Sequence, residues 1–140
     1  MQRLIPLLIP LALAGCAAFA SFPTPVTMTA QDVAPAANAI ASIVRLRLPP
    51  GQDILRIESP PDETGQAIGK ELVRVLEAAG YRIENNPRAV HRISFAVMPL
   101  KMGALLTVTI DGGAAATLVS RDAAGTMVLA SGLSFREALP

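Results

Sequence analysis

Residues 59–83 read SPPDETGQAIGKELVRVLEAAGYRI, and this stretch settles what kind of fold the chain builds. Ile68, Leu72, Val75, Leu76 and Ala79 recur at i, i+4, i+7, i+8 and i+11, with Lys70, Arg74 and Glu77 elsewhere on the wheel, so one face of a helix is apolar. Ser59-Pro60-Pro61-Asp62 has the form of a capping box, in which Ser59 accepts from the first turn and Asp62 sits at the positive end of the dipole. Gly80 falls where a left-handed C-cap is wanted. Gly65 and Gly69 lie one turn apart; each costs about 1 kcal/mol of helix propensity and offers a close approach to a sheet in return.

On either side the period changes from 3.6 to 2. Leu55 and Ile57 of DILRIE (53–58) mark a short strand, and Tyr81 and Ile83 alternate with Arg82 and Glu84 before the turn at Asn85-Asn86-Pro87. Ile93, Phe95 and Val97 alternate with Arg92, Ser94 and Ala96; Leu106, Val108 and Ile110 alternate with Thr107 and Thr109. Asp111-Gly112-Gly113 is a hairpin turn leading into AAATLVSR. Asp122-Ala123-Ala124-Gly125 is a second turn, before a segment in which Met127, Leu129, Leu133 and Phe135 share a face. Short turns force antiparallel neighbours. Upstream, Val33, Ala37, Ile40 and Val44 make a second helical stripe with Asp32 as its N-cap and Pro35 in its first turn. The stretch IVRLRL at its end, which alternates like a strand, is ambiguous. The expected architecture is α+β: one or two helices packed on a mostly antiparallel β-sheet.

The N-terminus is of another character. MQR carries one positive charge, the run LIPLLIPLALA is apolar, and Leu13-Ala14-Gly15-Cys16 closes it with the only cysteine of the chain. A bilayer span needs about 20 apolar residues, and Pro6 and Pro10 interrupt this shorter run. The pattern is that of a lipoprotein signal, residues 1–15, cut so that Cys16 becomes a lipid-bearing N-terminus. An ordinary secretory signal cut near Ala18 or Ala20 is the alternative. Residues 16–31 then read as a lipidated tether, with two prolines and no period, in which Phe19 and Phe22 are suited to rest on a membrane or a partner. Residues 32–140 read as a single α+β domain, long enough to bury a core without staples.

Charge and chemistry exclude more than they assign. Lys and Arg total 12 against 11 Asp and Glu, and loss of residues 1–15 removes Arg3, leaving a formally neutral chain with no basic patch. Direct nucleic-acid binding is not expected. With Cys16 given to lipid, no thiol remains for a disulfide or a thiolate metal site, and one histidine cannot build an ordinary zinc site, so no metal and no cofactor is expected. His91 begins a strand with no nucleophile elbow to serve, and is read as a solvated strand-edge residue. Glu58, Asp62 and Glu63 could be imagined as paired catalytic carboxylates, but a strand end and a helix N-terminus account for them. Asp111-Gly112-Gly113 follows a strand without opening a helix, which makes it a turn and not a phosphate loop. Met98, Pro99, Leu100, Lys101 and Met102 form an apolar hairpin tip, either packed into the core or presented as an adaptable contact surface.

Taken in order, the lipobox at Cys16, the passage PPDETGQAIGKELVRVLEAAGYRI, the strand and turn TVTIDGG at 107–113 and the segment GTMVLASGLSFRE at 125–137 resemble the TrbH family of conjugal-transfer lipoproteins, which belong to mating-pair formation systems of the type IV secretion class. The resemblance implies a non-enzymatic, membrane-anchored component of a conjugation machine that works beside other envelope-spanning channel subunits. It carries over one functional residue, the lipid attachment at Cys16. Ala17 in place of an aspartate implies sorting to the outer membrane, with the domain in the periplasm. An auxiliary lipoprotein of a lipid or lipopolysaccharide transport complex is the competing expectation.

Overall fold

The computed structural model describes residues 28–130 and 134–137. Two helices lie on one face of a seven-stranded sheet, so the fold is α+β with mostly antiparallel pairing, as expected from the sequence. The chain forms a 3-10 turn (Ala30–Asp32), α1 (Val33–Arg47), β1 (Ile54–Glu58), α2 (Glu63–Ala78) and β2 (Arg82–Ile83). It continues through β3 (His91–Leu100), β4 (Gly103–Ile110), β5 (Gly113–Arg121), β6 (Met127–Leu129) and β7 (Ser134–Arg136). The sheet order is β2-β1-β3-β4-β5-β6, and β7 shares the β5 edge with β6.

The ambiguous IVRLRL is helical. Its alternation is not matched by one-sided burial: Ile43 and Val44 are buried while Leu46 is 64% exposed. Arg45 and Arg47 stand in the last turn, where the carbonyl ends favour cations. The α2 C-terminus is a Schellman motif: Gly80 has φ +93° and donates to the Glu77 carbonyl, and Tyr81 donates to the Leu76 carbonyl. Tyr81 is therefore not a strand residue. It is buried in the core and its hydroxyl donates to the Leu48 carbonyl at 2.6 Å, tying the ends of the two helices together.

The N-terminus of α2 differs from the capping box expected at Ser59. Asp62 is the N-cap, its carboxylate accepting from the Gly65 N–H at 3.0 Å. Ser59 precedes a proline, which disfavours helical backbone there, and its side chain fills the space beside Gly69, where a Cβ would stand 1.8 Å from the Ser59 Oγ. The two α2 glycines thus admit the 59–60 segment most closely, while from the sheet the Phe95 ring comes within 3.9 Å of a Cβ at Gly69.

Parallel pairing enters where a helix joins strands. β1 and β2, linked by α2, run parallel, and β1 also lies parallel to β3, with Leu55 opposite His91 and Ile57 opposite Ile93. From β3 onward the strands are antiparallel. The β4–β5 loop is a two-residue type I′ turn, Asp111 at φ 48° and Gly112 at φ 89°. Asp122 closes the next turn by accepting from the Ala124 and Thr126 N–H groups, both at 2.9 Å. In β6 and β7 the expected shared face breaks down: Met127 is buried, but Leu129 and Phe135, on the short strands that pair with β5 at the sheet margin, are exposed. Leu133 lies outside the described residues.

The core is the layer between helices and sheet. Ile40, Ile43 and Val44 of α1 and Ile68, Leu72 and Leu76 of α2 meet Leu55, Ile93, Leu106, Val108 and Val119 of the strands, all essentially inaccessible to solvent. Ala36, Ala37, Ala39 and Ala41 keep α1 slim enough to pack against both α2 and the sheet.

Candidate functional site

Cys16, the residue to which chemistry was assigned from sequence, lies outside the described residues, as does the tether through residue 27. The described chain starts inside the fold. Met28 is buried, and the Asp32 carboxylate accepts from the Thr29 N–H at 2.7 Å and the Thr29 hydroxyl at 3.0 Å. Asp32 makes no side-chain cap to α1. Its carboxylate instead receives a two-pronged bond from Arg121, Nη1 to Oδ1 at 2.7 Å and Nη2 to Oδ2 at 2.6 Å. The Arg121 guanidinium holds the buried carboxyl below its ordinary range against the opposing effect of burial. Residues 28–31, expected to belong to the tether, are thus already part of the packed domain.

His91 is not a free edge residue. β3 is flanked by β1 and β4, and the imidazole lies between two carboxylates: Nδ1 to Asp111 Oδ2 at 2.5 Å and Nε2 to Asp53 Oδ2 at 3.2 Å. Asp111 reaches it because the type I′ turn leaves its other oxygen free to accept from the Arg92 N–H at 2.9 Å. Asp53 arrives because β1 runs parallel beside β3. The hydrogen bond to Asp111 raises the His91 pKa above the ordinary histidine value, with Asp53 adding to it and partial burial opposing. The carboxylates bind opposite ring nitrogens, so they diverge; among the described residues no group of three or more His, Cys, Asp and Glu side chains is placed to hold a metal ion.

The acids considered for catalysis are spread over separate tasks. The Glu58 carboxylate lies 3.4 Å from Arg56 Nε and 3.2 Å from Arg92 Nε. Asp62 caps α2, and Glu63 occupies its first turn. The structure does not bring Glu58, Asp62 and His91 together as an acid–base set.

The hairpin tip between β3 and β4 is outside the core. Met98 is 59% and Met102 67% exposed, with Leu100 at the margin. The two readings of this tip are thereby separated: its methionines lie at the surface. The cavity below it, about 380 Å³, is lined by Met28, Pro60, Asp62, Val97 and Pro99 among others. A second cavity, about 360 Å³, lies at the opposite end, between Arg47 at the close of α1 and Val108 and Ile110 of β4. Arg47 there stacks on the Phe135 ring at 4.4 Å and lies 3.9 Å from Glu137.

Sequence reasoning missed the Asp32–Arg121 pair, whose members are 89 residues apart and leave no local signal. The surface tip did leave one. Val97-Met98, Leu105-Leu106 and Leu118-Val119 are apolar on both faces where a half-covered strand alternates. In comparisons with known proteins, no family model matches the chain, and no curated protein and no solved structure does either.

Proposed function

We propose that this chain is a lipid-anchored structural protein of the bacterial cell envelope, tethered through Cys16 to the outer membrane with its α+β domain in the periplasm. It serves there as a non-enzymatic subunit of a conjugative secretion channel of the mating-pair formation type. The observation that carries the reading is the lipobox: an apolar run closed by Leu13-Ala14-Gly15 before the only cysteine. Support for a non-enzymatic role comes from the engaged state of the ionisable groups. His91 bridges two carboxylates, Glu58 faces two arginines and Asp62 caps a helix. Support for the channel comes from the resemblance to the TrbH family, borne by α2, the β4–β5 hairpin and the segment from the Asp122 turn onward.

The test is Cys16→Ser in a donor strain, beside a clean deletion. The wild-type chain is expected to incorporate radiolabelled palmitate and to sediment with outer membranes. The variant is expected to do neither, and mating frequency is expected to fall to that of the deletion. Normal membrane fractionation and transfer with Cys16→Ser would overturn the anchor. Normal mating in the deletion, with new detergent sensitivity, would replace the channel by a lipid-transport complex.

A further inference from the structure

The helices cover one face of the sheet, and the other face is divided along the strands. At the end near the β4–β5 turn its side chains are polar: Arg56, Glu58, Arg92, Ser94 and Thr109. At the end near the β3–β4 turn they are apolar apart from Ser120. Met98 pairs with Leu105 and Leu105 with Leu118, so three large side chains form one row across β3, β4 and β5. Leu100 and Met102 extend that row past the edge of the sheet at the hairpin tip, both exposed. Lys101 is the only ionisable residue from 93 to 110. Nearby Asp122 spends its carboxylate on the N–H groups of its own turn.

The first described residue lies at this same end. Met28 lines one cavity with Val97 and Pro99, at the base of the tip. Twelve residue steps separate it from Cys16, at most about 40 Å of extended chain. A bilayer holding a lipid on Cys16 is therefore within reach of the tip, and a tether of that length keeps the tip end near it. A lysine flanked by Leu100 and Met102 suits that boundary: its ammonium meets lipid phosphates while its stem and the flanking side chains lie among the upper acyl carbons.

We propose that the β3–β4 hairpin tip, Met98, Leu100 and Met102 with Lys101, seats in the headgroup boundary of the bilayer that carries the Cys16 lipid. This second contact fixes the orientation of the domain on the membrane. It rests on the anchor proposed above, and it leaves the polar end of the sheet, with His91 and the β4–β5 turn, facing away from the lipid.

The test uses the full lipidated protein, reconstituted into vesicles of phosphatidylethanolamine and phosphatidylglycerol. Because lipid consumes Cys16, Met102→Cys supplies a single thiol for an environment-sensitive fluorophore, at a surface position where folding is not at stake. Arg88→Cys, exposed at the opposite end, is the control. The probe at position 102 is expected to shift to the blue and to lose more than half of its emission to lipids carrying a nitroxide on the acyl chain, while the probe at 88 keeps its emission. A water-like, unquenched probe at 102 in lipidated protein overturns the tip contact and leaves the anchor intact. A blue-shifted probe that lipid nitroxides do not quench also overturns it, and assigns the tip to another protein surface. An unmodified Cys16, read from the intact mass and from labelling of the wild-type thiol, overturns the anchor itself.

Discussion

His91 shows how much one side chain depends on pairing that lies outside its own neighbourhood. The imidazolium is favoured by Asp111 first and Asp53 second, so its pKa in the folded state lies above that of the unfolded chain. A group raised in this way lends stability in full below the ordinary histidine value near 6.5, and that contribution is lost as pH rises through the folded value. His91→Gln is therefore expected to cost about 1 kcal/mol below pH ~6.5, a modest figure because both carboxylates are partly exposed to solvent. The cost should shrink as the pH is taken well above the folded value. Urea midpoints of the two proteins across a pH series check this, and an offset that does not change with pH would show that the bridge carries no charge. The period-2 pattern around Ile93 and Phe95 placed His91 at a strand start, and Asp111 in a hairpin turn was equally legible. Asp53 was not, because which strand lies beside β3 is decided by the crossover through α2 and not by any residue near 53 or 91.

Elements whose signals are local were read closely from sequence. The stripe and Schellman end of α2, the Asp-Gly turn and the Asp122 turn each rest on contacts within a few residues. What moved was the α2 N-cap, from Ser59 to Asp62, since two prolines exclude the first and leave the second free to reach the Gly65 N–H. Close approach between strands was not legible either, and Gly103 is the clearest case. A Cβ there would stand 1.9 Å from the Val119 carbonyl oxygen and 2.8 Å from the Ser120 Cα, both backbone. Gly103→Ala cannot be absorbed by a rotamer change and must displace β4 from β5, at an expected cost of about 3 kcal/mol or more. Gly113, at the other end of the same ladder, would meet nothing nearer than 3.5 Å. Gly113→Ala is expected to stay within about 0.5 kcal/mol of the wild type. Chemical denaturation of the pair separates the two sites, and equal effects would mean that crowding at Gly103 is relieved without loss of pairing.

At the scale of the molecule, the outer face of the sheet and the first turn of the chain belong to one end. The apolar row at the hairpin tip, Met28 beneath it and the Asp32–Arg121 pair together join the start of the described chain to the last long strand. Composition and periodicity fix neither that closure nor the burial of Met28, because the turn before α1 carries no apolar repeat and Asp32 looks like an ordinary cap. The closure has a measurable consequence. A chain beginning at Met28 retains every one of these contacts and is expected to match the stability of the chain beginning at residue 16 within about 0.5 kcal/mol. A chain beginning at Val33 loses the burial of Met28, about 1.5–3 kcal/mol, and leaves Arg121 without its carboxylate. The arginine keeps some access to water, so this second loss falls at or below the low end of the roughly 3–5 kcal/mol that breaking a buried pair costs. Together they take about 3–6 kcal/mol from a domain whose total stability is on the order of 5–15 kcal/mol. Urea unfolding of the three chains should show two coincident curves and a third well to the left. If the Val33 chain unfolds with the others, residues 28–32 belong to the tether, and the tip loses its nearest link to the anchor.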